Sequence, residues 1–185
     1  MRITFEPKVS IFITLFCICV FGLKVYYPIE FDQYFVLDGK IKSQSLAWYF
    51  STMGYILGHV DMKHLIGNLS FFLILSPIVE KQIGSVKYLV MVLSTAIITG
   101  IIHIVFEDNG LLGLSGIVFM LIILSTLLHI KSKEIPFTFI LIFIFYLGQE
   151  VYLSFAKDSV SHMAHLTGGI SGIFWGFYKR KGGNL

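Results

Sequence analysis

Ionisable and strongly polar side chains are costly inside apolar segments, so the places where this chain puts them are where chemistry should be sought. Three clusters fall at the starts of long apolar runs. The first, His59-Val-Asp-Met-Lys-His64-Leu-Ile-Gly-Asn68, sets His64 and Asn68 four residues apart, on one face of a helix. Two readings stand for it: an interhelical polar contact, worth about 0.6–2 kcal/mol in a membrane, or a pair of functional polar groups. The second, Gly110-Leu-Leu-Gly113-Leu-Ser115-Gly116, follows Asn109. A serine flanked by glycines at a helix start has an exposed hydroxyl, room beside it and free N–H groups able to face an oxyanion. A close-packing small-residue motif with an N-cap would have the same sequence. The third cluster is Ser161-His162-Met-Ala164-His165-Leu-Thr-Gly168-Gly169-Ile-Ser-Gly172, with Gly176 beyond. Counted from His165, glycines stand at i+3, i+4 and i+7, so a second helix can approach closely along that stripe. The helix carrying Gly113 and Gly116 is the obvious partner, and its approach brings Ser115 to His165. A glycine packing seam with an incidental histidine is the alternative.

What must position these groups is a set of membrane helices. Of 185 residues, 56% are hydrophobic and 14% charged, and mean hydropathy is +0.81. That composition excludes a soluble domain, and with spans of about 20 apolar residues it leaves little room for anything outside the bilayer. Six segments are predicted, at about Val9 to Tyr27, His64 to Val79, Val86 to Phe106, Leu111 to Ile130, Phe137 to Phe155 and Ser161 to Tyr178. Breaks at Gly84, Asn109-Gly110, Pro136 and Lys157-Asp158 separate the later ones. The first run follows Arg2 and Lys8, is interrupted late by Lys24, and lacks a small-residue cleavage site; it reads as an uncleaved helix rather than a signal peptide. Residues 28–63, with Glu30, Asp32, Asp38, Lys40, Lys42 and Leu46-Ala-Trp-Tyr-Phe50, predict a long loop lying in the interface. Net charge is +3 and pI about 8.8. The basic residues sit between apolar runs, where they orient a membrane protein rather than bind nucleic acid. Cys17 and Cys19 are too close for an ordinary disulfide and have no metal-ligand company.

Orientation follows from Lys and Arg counts in alternate connections. Arg2, Lys8, Lys81, Lys87, Lys131, Lys133, Lys179, Arg180 and Lys181 fall on one side; Lys24, Lys40, Lys42, Lys63 and Lys157 fall on the other, among most of the acidic residues. Both termini are therefore expected to be cytoplasmic, and an even number of spans agrees. Helices two, four and six then all start on the outer side, which puts His64, Asn68, Ser115 and His165 at comparable depth. A nucleophilic serine, a histidine to take its proton and two neutral donors for an oxyanion make an acyl-transfer constellation.

Those residues, in this order, resemble the rhomboid intramembrane serine proteases. The matching motifs are His59, His64 and Asn68 (HxxxxHxxxN), Gly113-Leu-Ser115-Gly116 (GxSG) and Ala164-His165-Leu-Thr-Gly168 (AHxxG), joined by Trp48-Tyr49-Phe50 and Glu80-Lys-Gln-Ile-Gly84. The resemblance covers nearly the whole chain and implies a six-helix all-α membrane bundle. It implies a Ser115–His165 dyad without a third carboxylate, in a water-filled cavity open to the outside. It also implies an oxyanion hole from His64, Asn68 and the Ser115 backbone N–H, and a fifth helix acting as a lateral gate. His59, Gly113, Gly116, Phe119 and Gly168 are supporting residues, with His165 held by packing against Phe119 and Gly168. Two departures stand out: Trp48-Tyr49 where the family often has Trp-Arg, and Phe119 where many members stack a tyrosine on the catalytic imidazole. The ring can still stack without its hydroxyl.

The expected substrates are other membrane proteins whose transmembrane helices contain Gly or Pro, because cleavage needs an extended backbone and such residues ease unwinding. The expected setting is the bilayer of a bacterial inner membrane, with the site facing the extracytoplasmic side, no cofactor and no metal. Two other classes stand as alternatives: a proteolytically inert client-binding member, and a metal hydrolase or transporter using His59, His64, His162 and His165. The latter set has no intramembrane Asp or Cys beside it. Glu150 is expected to reach the interface by snorkelling, with a gating role as its alternative, and His103 and His129 are read as interfacial.

Overall fold

The computed structural model describes residues 6–39, 45–128, 136–148, 151, 161–180 and 182. Its helices are α1 (Lys8–Tyr26), α2 (Pro28–Phe35), α3 (Leu46–Gly54), α4 (Met62–Ile83), α5 (Ser85–Phe106), α6 (Ser115–Leu128), α7 (Phe137–Ile142) and α8 (His162–Arg180). A 3-10 turn, Tyr55–Leu57, follows α3, and a π-helical stretch, Phe143–Gly148, continues α7. Two short strands, β1 (Leu37–Asp38) and β2 (Gly110–Leu111), pair antiparallel.

The molecule is apolar outside and partly polar inside, the arrangement a lipid solvent demands. Phe12, Leu15 and Phe16 on α1, Leu73 and Ile74 on α4, and Ile98 and Ile101 on α5 are exposed, while Ser10, Ser76, Glu80, Thr95 and Thr99 are buried. Helices α1, α4 and α5 are long and apolar enough to cross a membrane, and α6 is a shorter apolar helix. Helix α6 is the centre of the bundle. It is hydrophobic on every face, and α4, α5 and α8 cover it.

Helix α8 lies closest to it because of glycine. A methyl group at Gly168 would overlap the carbonyl oxygen of Gly116, and one at Gly172 would lie 2.5 Å from the carbonyl oxygen of Met120. The stripe read from sequence is thus a backbone-to-backbone contact. At the other end of the bundle Glu80 ties α1 to α4. Its carboxylate accepts from the N–H groups of Val9 (3.0 Å) and Ser10 (2.8 Å) and from the hydroxyls of Ser10 (2.7 Å) and Ser85 (2.6 Å). These bonds satisfy orphan donors of the first turn of α1.

Three expectations need adjusting. Residues 28–63 are not an extended loop: they hold α2, β1, α3 and the 3-10 turn. Pro28 sits at the start of α2, and the Ser45 hydroxyl caps α3 by accepting from the Trp48 N–H at 3.1 Å. Helices of eight and nine residues carry too few apolar repeats to stand out by periodicity. Helix α6 begins at Ser115 rather than Leu111, because Gly110 and Leu111 pair with β1 and Gly113 has φ +123°. Helix α4 runs to Ile83 rather than Val79: buried Glu80 keeps the last turn helical until Gly84, with φ +93°, ends it. Of the end of the predicted fifth segment, residues 149–150 and 152–155, including Glu150, lie outside the described residues, as does His129.

Candidate active site

Ser115 is the first residue of α6. The segment that delivers it is fastened on several sides. β1 pairs Leu37 with Leu111 and Asp38 with Gly110, and the Gly39 N–H donates to the Asn109 carbonyl at 3.0 Å. The His103 ring donates from Nε2 to the same carbonyl at 2.8 Å. The ring therefore packs into the protein instead of facing outward. It is buried, and it holds the turn before the serine. Only its spacing of six residues from Asn109, across a helix end, could have hinted at this.

Gly113 brings the oxyanion candidates to the serine. Its positive φ favours glycine, and its missing side chain leaves room for histidine. A Cβ there would stand 2.8 Å from His64 Cε1, 2.9 Å from His64 Nε2 and 3.6 Å from Asn68 Nδ2. Its N–H donates to the Tyr55 carbonyl at 2.9 Å. His64 and Asn68 share a face of α4, as their spacing requires. The Asp61 carboxylate caps that helix by accepting from the His64 N–H at 2.7 Å. The Asn68 amide nitrogen is buried with no hydrogen-bond partner among the described residues, so a donor is left for an acceptor to meet.

His165 sits in the first turn of α8. Its ring lies flat on Phe119, centroids 4.3 Å apart and planes 8° from parallel. Tyr146, in the π-helical stretch, meets Phe119 edge-on at 6.0 Å. No pattern in the sequence marks Tyr146, one aromatic among several in Phe143-Ile-Phe-Tyr. Gly116 and Gly168 press this turn of α8 onto α6, and the Ala164 carbonyl oxygen would lie 3.3 Å from a Cβ on Gly116. His162 is buried, edge-on to His165 at 6.3 Å.

One cavity of about 540 Å³ collects the predicted groups. Ser115, His165, His64, Asn68 and Phe119 line it with Tyr146, and Phe71, Val118 and Ile122 add apolar wall. His59 is not in the lining. It stands fully buried behind His64, rings edge-to-face at 5.1 Å, and its Nδ1 donates to the Leu57 carbonyl at 3.2 Å. Burial, helped by the neighbouring His64, lowers its pKa to about 4, so the ring stays neutral. Trp48 packs partly buried against the core and lies edge-on to Tyr49 at 5.2 Å.

A serine at a helix start and a histidine stacked on the adjacent helix, beside two polar side chains in a common cavity, define a membrane-embedded protein with the parts for acyl transfer. The family model of the Rhomboid domain matches residues 44–182, and the chain belongs to the rhomboid family. It is 23% identical over 179 residues to rhomboid protease GlpG of Haemophilus influenzae, covering 95% of this chain and 93% of that protein. Rhomboid-related protein 1 of Caenorhabditis elegans is 27% identical over 158 residues, 77% of this chain and 42% of its own length. Rhomboid protease GlpG of Klebsiella pneumoniae is 30% identical over 112 residues, 59% of this chain and 39% of its own. The chain thus spans less than half of the latter two proteins.

Proposed function

We propose that this chain is an intramembrane serine endopeptidase that cleaves transmembrane segments of other membrane proteins with a Ser115–His165 dyad. The observation that carries the reading is the shared cavity: Ser115, His165, His64 and Asn68, drawn from α6, α8 and α4, line one space. Ser115 Oγ attacks the scissile carbonyl while His165 takes its proton. His165 then returns the proton to the leaving amine, and water clears the acyl-enzyme by the reverse proton traffic. The tetrahedral oxyanion is met by His64, Asn68 and the Ser115 N–H, which heads α6 without an intrahelical acceptor. Phe119 and the Gly116–Gly168 contact hold the imidazole.

Six spans, both termini in the cytoplasm and a site toward the extracytoplasmic side complete the reading, supported by the asymmetry of Lys and Arg. Bacterial relatives support a bacterial inner membrane. The segment with α7 and the π-helical stretch is the side through which a substrate helix reaches the cavity, and Gly or Pro near the scissile bond lets that helix unwind. The deciding experiment is Ser115→Ala, expected to abolish cleavage of a reporter transmembrane segment and labelling by a fluorophosphonate while melting stays near wild type. Equal labelling of both proteins would remove Ser115 as the nucleophile.

A further inference from the structure

Lys24 has no role in the mechanism above, yet it interrupts an otherwise apolar helix. It lies in the last turn of α1, where a cation would ordinarily complement the helix's own terminal carbonyls. Its bonds go elsewhere. The ammonium donates to the carbonyl of His59 at 3.3 Å and to that of Val60, and it stands 5.2 Å from the centroid of the Phe31 ring. Two carbonyls and an aromatic face occupy the directions an ammonium offers. Among the described residues the only ion pair is Lys8 with Glu6, so none of their carboxylates pairs with Lys24.

The carbonyls it holds belong to the segment that starts α4. Val60 and Asp61 line the cavity, and Asp61 caps α4 through the His64 N–H. His59 lies edge-on against the His64 ring. From these contacts we propose that Lys24 is a positioning residue: it fastens the His59–Val60 backbone to α1 and so fixes where His64 stands beside Ser115. The proposal rests on the reading of His64 as an oxyanion donor. It gives α1, which supplies no group to the cavity lining, a part in the geometry of the reaction.

The test uses the full chain in liposomes with a reporter transmembrane substrate, comparing Lys24→Met, Lys24→Arg and His64→Ala. Lys24→Met should lower kcat by about 10- to 100-fold, as a misplacement on the order of 1 Å does, with KM within about twofold and melting near wild type. Lys24→Arg should restore most of the rate, because a guanidinium can donate to two carbonyls. Should Lys24→Met not fold, Lys24→Leu, which likewise removes the donors, is read the same way; failure of both to fold makes Lys24 structural and overturns the proposal. Wild-type kcat in Lys24→Met overturns it too, as does a loss of kcat that tracks a loss of melting and is not restored by Arg. A slowed His64→Ala beside an unaffected Lys24→Met sinks the Lys24 proposal alone, whereas wild-type turnover in His64→Ala removes the oxyanion assignment and this proposal with it.

Discussion

Each polar side chain around the cavity is identified by what it touches. His64 and Asn68 lie against Gly113, and the proposed mechanism gives them the oxyanion that forms when Ser115 attacks the carbonyl carbon, not the serine proton. Losing one oxyanion donor typically costs about 10²–10³ in rate. His64→Ala and Asn68→Ala should therefore be slow but measurable, with kcat falling more than KM rises; loss of bound zinc with activity regained on its addition would replace this reading by a metal one. His59 gives a pH prediction. Its folded pKa of about 4 lies below the ordinary 6.5, so between those values the unfolded chain binds a proton that the folded one refuses. Stability from this residue is present above pH 6.5 and is lost as pH falls toward 4, by about 3 kcal/mol. Melting of wild type should drop more steeply over that range than melting of His59→Gln, and parallel curves would remove His59 as the cause.

At the scale of elements, the decisive contact is α8 on α6. The sequence showed the stripe of glycines but not their order of importance, since spacing gives a face and no distances. In the structure Gly168 meets the Gly116 backbone and Gly172 the Met120 carbonyl, whereas Gly176 meets the side chain of Leu127. Backbone cannot yield as a leucine side chain can, and overpacking typically costs about 1–3 kcal/mol. Gly168→Ala should lose both melting temperature and turnover, by more than Gly176→Ala loses either, while Gly22→Ala, with open space beside it on α1, should change neither. Turnover and melting at wild-type values in Gly168→Ala would mean that this contact does not set the distance between Ser115 and His165. The role of His103 was hidden for a related reason: its bond to Asn109 crosses the end of α5, and helical periodicity says nothing of where a chain turns back.

At the scale of the whole molecule, the distribution of Lys and Arg predicts topology. Fluorescent protein fused at either terminus should glow in a bacterial host, and alkaline phosphatase should be active when inserted between residues 28 and 63 and inactive when fused at either terminus. Phosphatase activity at the carboxyl terminus would overturn the proposed orientation and put the cavity on the other side. The sequence by itself determined a helical membrane protein and singled out the polar groups proposed for its site, because lipid forces apolar runs of fixed length and makes every intramembrane polar group conspicuous. Spacing by four and by three then placed His64 with Asn68, and His165 with its glycines. Only the tertiary structure decided that residues 28–63 fold into α2, β1 and α3, that β1 and His103 hold the turn before Ser115, that Tyr146 joins Phe119 at the cavity, and that Lys24 reaches the start of α4. Apart from the His103–Asn109 bond those contacts join segments far apart in the chain, and the side-chain partners are backbone carbonyls or one aromatic among many. Carbonyls are the same at every position, so no sequence pattern marks which of them will be met.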